Sequence, residues 1–351
     1  MSKTPLLRES PPHNISTLNS NSFTIAHGKF SFKDEYSTHG KFKDEYSIGA
    51  QAVIVDYNKK HSEWVGSEKQ RKEIARDVVQ FFKNEWHIEE PSLIITVTGG
   101  AGPFQLNPNL QKVLRQGLVD AARDAENVVI LTGGTHSGVM KHTGNAIQEN
   151  SLFGVTCIGF SSFSSVNHSE AMENDFGEQY HGERKQVYEY QLETEERKKQ
   201  KKVDLDPYHT HQVLIKDGSE NSIDNQIEYW ADIETAWRKE RCQDCVTPTN
   251  GQVKIEYSTN RTNIPAVLIC FKGGAETVLT CYKGLASGNP LVVVQDSGWC
   301  ADWIAGAVLL KKEKHNNAKK DDKEFLEYKK EVEKYFEEAL KSETIERFVI
   351  H

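Results

Sequence analysis

The sequence predicts a doubly wound α/β protein with a mostly parallel sheet and helices on both faces, and three observations carry that prediction. Short apolar runs recur along the chain, and several are continuous rather than alternating, the pattern of strands covered on both faces. Amphipathic stretches lie between them, and strand–helix–strand alternation implies right-handed crossovers in a parallel sheet. Three of the strands also end in a Gly-Gly pair.

In chain order, residues 1–50 are rich in Ser, Asn, Pro and Lys and read as a weakly ordered tail. They carry a near-duplicate, HGKFSFKDEYS at 27–37 and HGKFKDEYS at 39–47, too short for a solenoid unit. The residues leave it open between a paired edge strand, an interaction tail and an accident of duplication. The domain proper is expected over 51–310, with strands at 52–55, 93–97, 128–131, 156–159, 213–215, 266–270 and 291–294. Ile74, Val78, Phe81 and Phe82 make a helical stripe, with Ser67 and Gln70 as a capping box ahead of it. Leu110, Val113, Leu114, Gly117, Leu118 and Ala121 make a second. ETEERKKQKK at 193–202 is a charge block and reads as a solvated insertion. Residues 311–351 open as a charged linker. A helix follows over 324–340, with Phe325, Tyr328, Val332, Tyr335 and Phe336 on one side needing a partner.

Bulk properties narrow the function. Of 351 residues, 37% are hydrophobic and 27% charged, a soluble globular balance, and no run of about 18 apolar residues offers a membrane span. The start, MSKTPLLRESPPHNIS, lacks the apolar core of a secretory signal, so a cytoplasmic location is expected. A formal charge of -8 argues against a nucleic-acid partner. Three of the six cysteines sit in or beside apolar segments, which suits small buried thiols in a reducing compartment. Cys242 and Cys245 have metal-ligand spacing, but no second CxxC or paired His completes a site, so no metal is expected.

The chemistry is expected in the Gly-Gly loops. They are Thr98-Gly99-Gly100-Ala101, Gly133-Gly134-Thr135-His136-Ser137-Gly138 with Met140, and Gly273-Gly274-Ala275-Glu276-Thr277; a fourth, Ser297-Gly298, has a comparable shape. In an open parallel sheet the ligand crevice lies past the carboxyl ends of the strands. Glycines there let backbone approach a ligand, and helix N-termini aim unpaired N–H groups at it, which favours phosphate. Gly134 and Gly274 are expected to keep that path open. None of the loops is GxGxxG, and GxxxxGK[ST] is absent, which disfavours P-loop and classical dinucleotide readings.

These residues, with SLIITVTGGA, ILTGGTHSGVMKHTGNAI, HTHQVLIKDG, ICFKGGAETVLT and LVVVQDSGWCADWIA, give a family resemblance over 91–310. The sequence resembles the N-terminal cytosolic homology region of the melastatin-type (TRPM) transient receptor potential channels, most like the ADP-ribose-gated type. That region is related to the SLOG superfamily of Rossmann-like nucleotide-binding folds. The resemblance implies a cytosolic ligand-sensing domain that binds ADP-ribose or a related adenine nucleotide, with no cofactor required. It carries over the four loops, with Ala301 and Asp302 after the fourth, and His209, His211, Asp217 and Gly218 from the HTHQVLIKDG segment. It further implies the remaining channel domains and neighbouring subunits as partners, with the pore beyond His351 and no membrane insertion by this segment.

Departures from the family pattern are visible too. Trp299 stands where the family usually has an arginine, and residues 227–232 replace its arginine-rich stretch; Trp299 or Trp230 is then either a stacking platform for a base or core. The hydrolytic branch of the superfamily carries a glutamate in the third loop where this chain has Thr280, and threonine is no carboxylate base, so the chain is read as no enzyme. Two alternatives remain open: a nucleotide-processing enzyme of the superfamily, and an assembly module with a vestigial pocket.

Overall fold

The structure, a computed structural model, describes residues 24–32, 49–57, 68–102, 108–150, 152, 155–177, 179–180, 183–184, 187–190, 192, 202–218, 222–239, 246–249, 252–255 and 263–315. In chain order the elements are β1 (Thr24–Phe32), β2 (Gly49–Asp56), α1 (Glu68–Asn84), β3 (Leu93–Gly99), α2 (Pro108–Asp124), β4 (Val128–Thr132) and α3 (Gly138–Glu149). Next come β5 (Thr156–Ser162), α4 (Ser169–Gly177), β6 (Gln179–Tyr180), β7 (Glu183–Arg184), β8 (Val187–Tyr190), β9 (His211–Lys216) and α5 (Ser222–Lys239). The chain continues through β10 (Val246–Thr249), β11 (Gln252–Ile255), β12 (Ala266–Phe271), α6 (Ala275–Ala286), β13 (Leu291–Val294) and α7 (Trp299–His315).

Nine strands form one sheet in the order β13-β12-β3-β4-β5-β9-β2-β1-β8. From β13 to β2 every pairing is parallel. All seven strands expected from the apolar runs are in this parallel set. The inner strands bury both faces because helices cover both, whereas the edge strand β13 leaves Val292 exposed. Ile94 packs with the α1/α5 residues Phe82, Ile233 and Trp237, whereas its neighbour Ile95 packs on the other face with Leu114 and Leu118 of α2 and Ile147 of α3. That is the period-two alternation of a strand with a core on either side. In the α2 stripe Leu114 and Leu118 are buried, but Val113 is exposed.

The tail expected over 1–50 is not all outside the sheet. Thr24–Phe32, which includes the start of the first repeat copy, is a strand that pairs antiparallel with β2 and parallel with β8. Backbone hydrogen bonding places it there; its sequence carries no apolar run to announce it. Likewise α7 runs to His315, past the boundary expected at 310. The second repeat copy, the capping Ser67, most of the 193–202 block, Cys242, Cys245 and the helix expected over 324–340 lie outside the described residues.

The topology fixes where a ligand crevice can form. From β3 the chain advances through β4 and β5 in one direction, then returns after α5 to place β12 on the other side of β3. The sheet therefore changes its direction of growth between β3 and β12, and the chain leaves their carboxyl ends in opposite directions. Phe82 anchors the helices on the opposite face: it is fully buried, stacked on Trp86 at 4.8 Å and tilted against Trp237 at 5.3 Å. Phe82→Ala should cost about 3–5 kcal/mol in chemical denaturation; a loss below about 1 kcal/mol would show that this layer does not hold the sheet.

Candidate functional site

The four glycine loops meet at that switch point as one continuous rim. Gly100 N–H donates to Phe271 O at the end of β12 (3.2 Å), and Gly100 O accepts from Val139 N–H in the first turn of α3 (3.0 Å). Lys272 N–H donates to Ser297 Oγ (2.8 Å), while Cys300 and Ala301 donate their N–H groups to Gly273 O (3.2 Å) and Lys272 O (3.0 Å). The N-termini of α3, α6 and α7 thus open onto neighbouring loops. Ser137, the residue preceding α3, makes no side-chain cap; its Oγ lies 3.0 Å from Thr135 Oγ1. Thr277 is buried, and its hydroxyl accepts from Gly274 N–H (3.3 Å).

The glycines of these loops have two different uses. A Cβ on Gly99 would lie 2.0 Å from Phe271 O, and one on Gly138, at φ +53°, would lie 1.9 Å from Gly100 O. Gly134, at φ +71°, would place a Cβ 2.7 Å from Gly159 Cα. These three are glycines because backbone packs on backbone. Gly274 differs: its φ is not in the left-handed region, and a Cβ there would meet only Glu276 Oε2 at 3.4 Å. Gly133 would meet only the Met140 side chain, at 3.6 Å. The expectation that Gly134 and Gly274 share one role is thereby corrected, since the missing side chain of Gly134 is filled by protein.

Strain is concentrated at the same rim. Lys272, Asp296 and Trp299 are non-glycine residues with φ of 54°, 62° and 51°, a conformation that costs of order 1–3 kcal/mol each. Trp299 is 63% exposed, whereas Trp230 is buried and stacked on Phe160 at 5.4 Å. The structure thus settles Trp230 as core and leaves Trp299 at the surface.

Beneath the second loop lies a polar strut that the sequence did not disclose. Asp206 accepts from His136 Nδ1 (2.8 Å) and His209 Nδ1 (3.0 Å), and its N–H donates to Gly134 O (2.9 Å). His209 Nε2 lies 2.7 Å from Thr132 Oγ1, which accepts from Gly134 N–H at 2.9 Å. Gln212 Nε2 donates to Gly134 O, and Ser161 Oγ to Gly133 O. His209 is therefore a buried brace for the loop, and His211 packs against Trp86 at 4.5 Å. Burial opposes charge on Asp206, but the two histidines outweigh it and hold its carboxyl below the usual range. Burial also opposes charge on His209, but Cys157 and Asp206 outweigh it and push it up to about 10.

A second cluster sits under the third and fourth loops. Cys270, Cys281 and Cys300 are all buried, and their sulfurs lie within 4.8 Å of one another. The thiols of Cys281 and Cys300 push Cys270 down to about 5 against the effect of burial, while those of Cys281 and Cys300 are pushed up. The spacing 270, 281, 300 matches no ligand motif, so only the packing of α6 and α7 on β12 reveals the group.

A doubly wound, mostly parallel sheet with glycine loops at its switch point defines a class, a Rossmann-like α/β domain. Comparison with known families then places it. Residues 69–349 match the family model LSDAT_euk, described as SLOG in TRPM, and the chain belongs to that family. It is 32% identical over 238 residues to "Transient receptor potential cation channel subfamily M member-like 2" of Nematostella vectensis, covering 66% of this chain and 14% of that protein. Identity is 31% over 239 residues to subfamily M member 2 of Rattus norvegicus, with the same coverage, and 27% over 234 residues to member 7 of that organism, 65% and 11%. The chain thus spans about one seventh or less of the length of these relatives. Among the described residues no helix is long and apolar enough to cross a membrane.

The brace has a pH signature. His209 binds its proton more tightly folded than unfolded, so its contribution is complete below its ordinary value of 6.5 and is lost as pH rises through about 10. Asp206 has the opposite sign, contributing above 3.8 and losing that as pH falls through its depressed value. The thermal midpoint should therefore fall between about pH 6.5 and about 10, and fall less steeply in His209→Gln; parallel profiles would exclude a charged His209.

Proposed function

We propose that this chain is the ligand-sensing domain of a TRPM-type cation channel and binds ADP-ribose or a related adenine nucleotide in the crevice between β3 and β12. The observation that carries this reading is the convergence of three helix N-termini and four glycine-rich turns on one switch point. Three positive dipole ends favour a diphosphate there. Gly274, beside which a Cβ would meet only Glu276 Oε2, leaves the backbone accessible. The exposed Trp299 indole offers a stacking surface for the base where the family usually places a cation. Membership of the SLOG family of TRPM channels, and likeness to subfamily M member 2, support the same assignment. On this reading the domain faces the cytoplasm, and its partners are the other channel domains and neighbouring subunits.

Binding without turnover is the expected behaviour. The Thr280 hydroxyl donates back to Glu276 O within α6 (3.0 Å), and the Asp206 carboxylate is held by two histidines. Glu276 is exposed in the first turn of α6. No other carboxylate of the third loop stands in for the glutamate of the hydrolytic branch.

Calorimetric titration of ADP-ribose, with AMP and NAD as comparators, should give saturable binding, and the nucleotide should be recovered intact. Gly274→Val should weaken it at least about tenfold, ~1.4 kcal/mol, at unchanged melting temperature. Gly134→Val should instead lower the melting temperature, because its side chain meets Gly159 and Gln212. Absence of binding by all three nucleotides would favour an assembly module, and breakdown products would favour an enzyme.

A further inference from the structure

Four buried cysteines are described, and three of them form one group. Cys270 ends β12, Cys281 lies in α6 and Cys300 opens α7, so three separate elements deliver one sulfur each to a single point. Their surroundings are otherwise apolar: Leu268, Ala301 and the partly buried Val278, Leu291, Val293 and Ile304. Packing alone does not call for three mutually adjacent thiols, since any small apolar residue fills such space. Cys157, alone in another cluster, is the pattern expected of a packing cysteine.

Asp302 supplies a second observation. It lies in the same helical turn as Cys300, and its Oδ1 is shut off from solvent with no hydrogen-bond partner. A buried carboxylate oxygen without a donor costs free energy that a cation would recover.

We propose that Cys270, Cys281 and Cys300 bind a thiophilic d10 cation, Zn²⁺, with water in the fourth position and the Asp302 carboxylate outside the ligand shell, beneath the third and fourth glycine loops. Zn–S bonds of about 2.3 Å hold the sulfurs of a tetrahedral site about 3.8 Å apart. Sulfurs already within 4.8 Å of one another need to close by about 1 Å at most. Thiolates select Zn²⁺ over the hard cations Mg²⁺ and Ca²⁺. On binding, three S–H bonds give way to three Zn–S bonds and the protons leave to solvent, so uptake strengthens as pH rises. The site pins α6 and α7 to β12. Because Cys300 N–H and Ala301 N–H also hold the third loop, metal occupancy is tied to the geometry of the crevice rim.

The test uses the full chain, stripped with a chelator and kept reduced without added thiol, and titrated with Co²⁺ and then Zn²⁺ in the absence of nucleotide. One equivalent of Co²⁺ is expected to give thiolate-to-cobalt charge-transfer absorption with tetrahedral d–d bands, which Zn²⁺ then bleaches. The signal should persist in Cys157→Ser and in the double variant Cys242→Ser/Cys245→Ser. Cys281→Ala and Cys300→Ala should each lose affinity by more than the roughly 10- to 100-fold typical of an outer-shell change, and Asp302→Asn by less than either. A wild-type titration without the charge-transfer band overturns the proposal, whatever the cysteine variants do to folding. So does a band that survives both alanine variants, or one that vanishes in the Cys242/Cys245 double variant.

Discussion

Everything at the functional end of this domain hangs from the place where β12 and α3 both meet the carboxyl end of β3. There the Phe271 carbonyl accepts from Gly100, and the Gly100 carbonyl accepts from Val139, while Gly99 and Gly138 bring their Cα atoms to distances that any Cβ would forbid. The constraint is topological in origin. The sheet reverses its direction of growth between these two strands, so no side chain is free to fill the junction, and backbone must close it. Once it is closed, the remaining loops have little freedom. The second is tied through α3, the third follows β12 directly, and the fourth is tied to the third by Lys272, Gly273 and Ser297.

Within two of the Gly-Gly pairs the work is divided. Gly134 is filled by Gly159 and Gln212, and its partner Gly133 has only the flexible Met140 beside it. Gly273 takes a φ of 93° with Thr277 against it, and its partner Gly274 is open. One member of each pair makes the turn, and the other leaves backbone uncovered. A doubled glycine therefore reports two constraints, which is why it is so much more informative than a single one. Three strained non-glycine residues beside the third and fourth loops point the same way, since strain of that kind persists only where the surrounding structure enforces it.

The parallel sheet was legible because strands buried on both faces are continuously apolar, and Ile94 and Ile95, facing opposite cores, show why. The loops were legible because glycine pairs after such strands are punctuation. What escaped was whatever depends on pairing rather than on local pattern. Strand β1 is polar along most of its length and is held by its ladder to β2. The Asp206 brace joins residues as far apart as Thr132 and His209, 77 positions, and the loops that show His136 and His209 say nothing of their shared carboxylate. The three cysteines are separated by 11 and 19 positions, from 270 to 281 and from 281 to 300, spacings that no ligand motif uses.

The brace and the thiol cluster stand in a similar relation to the crevice, one beneath the second loop and one beneath the third and fourth. Both place titratable groups out of water where charge is expensive, and each is compensated by close partners within the domain. In the brace the carboxylate and imidazoles compensate one another: Asp206 has two histidines, and His209 has Asp206 and Thr132, although Gln212 Oε1 is left without a partner. In the thiol cluster three sulfurs lie within 4.8 Å of one another, and Asp302 Oδ1 in the same turn of α7 as Cys300 has no hydrogen-bond partner. On the proposed readings, a cation at the thiol cluster makes the third and fourth loops, rather than the second, the part of the rim whose position responds to something beyond the nucleotide.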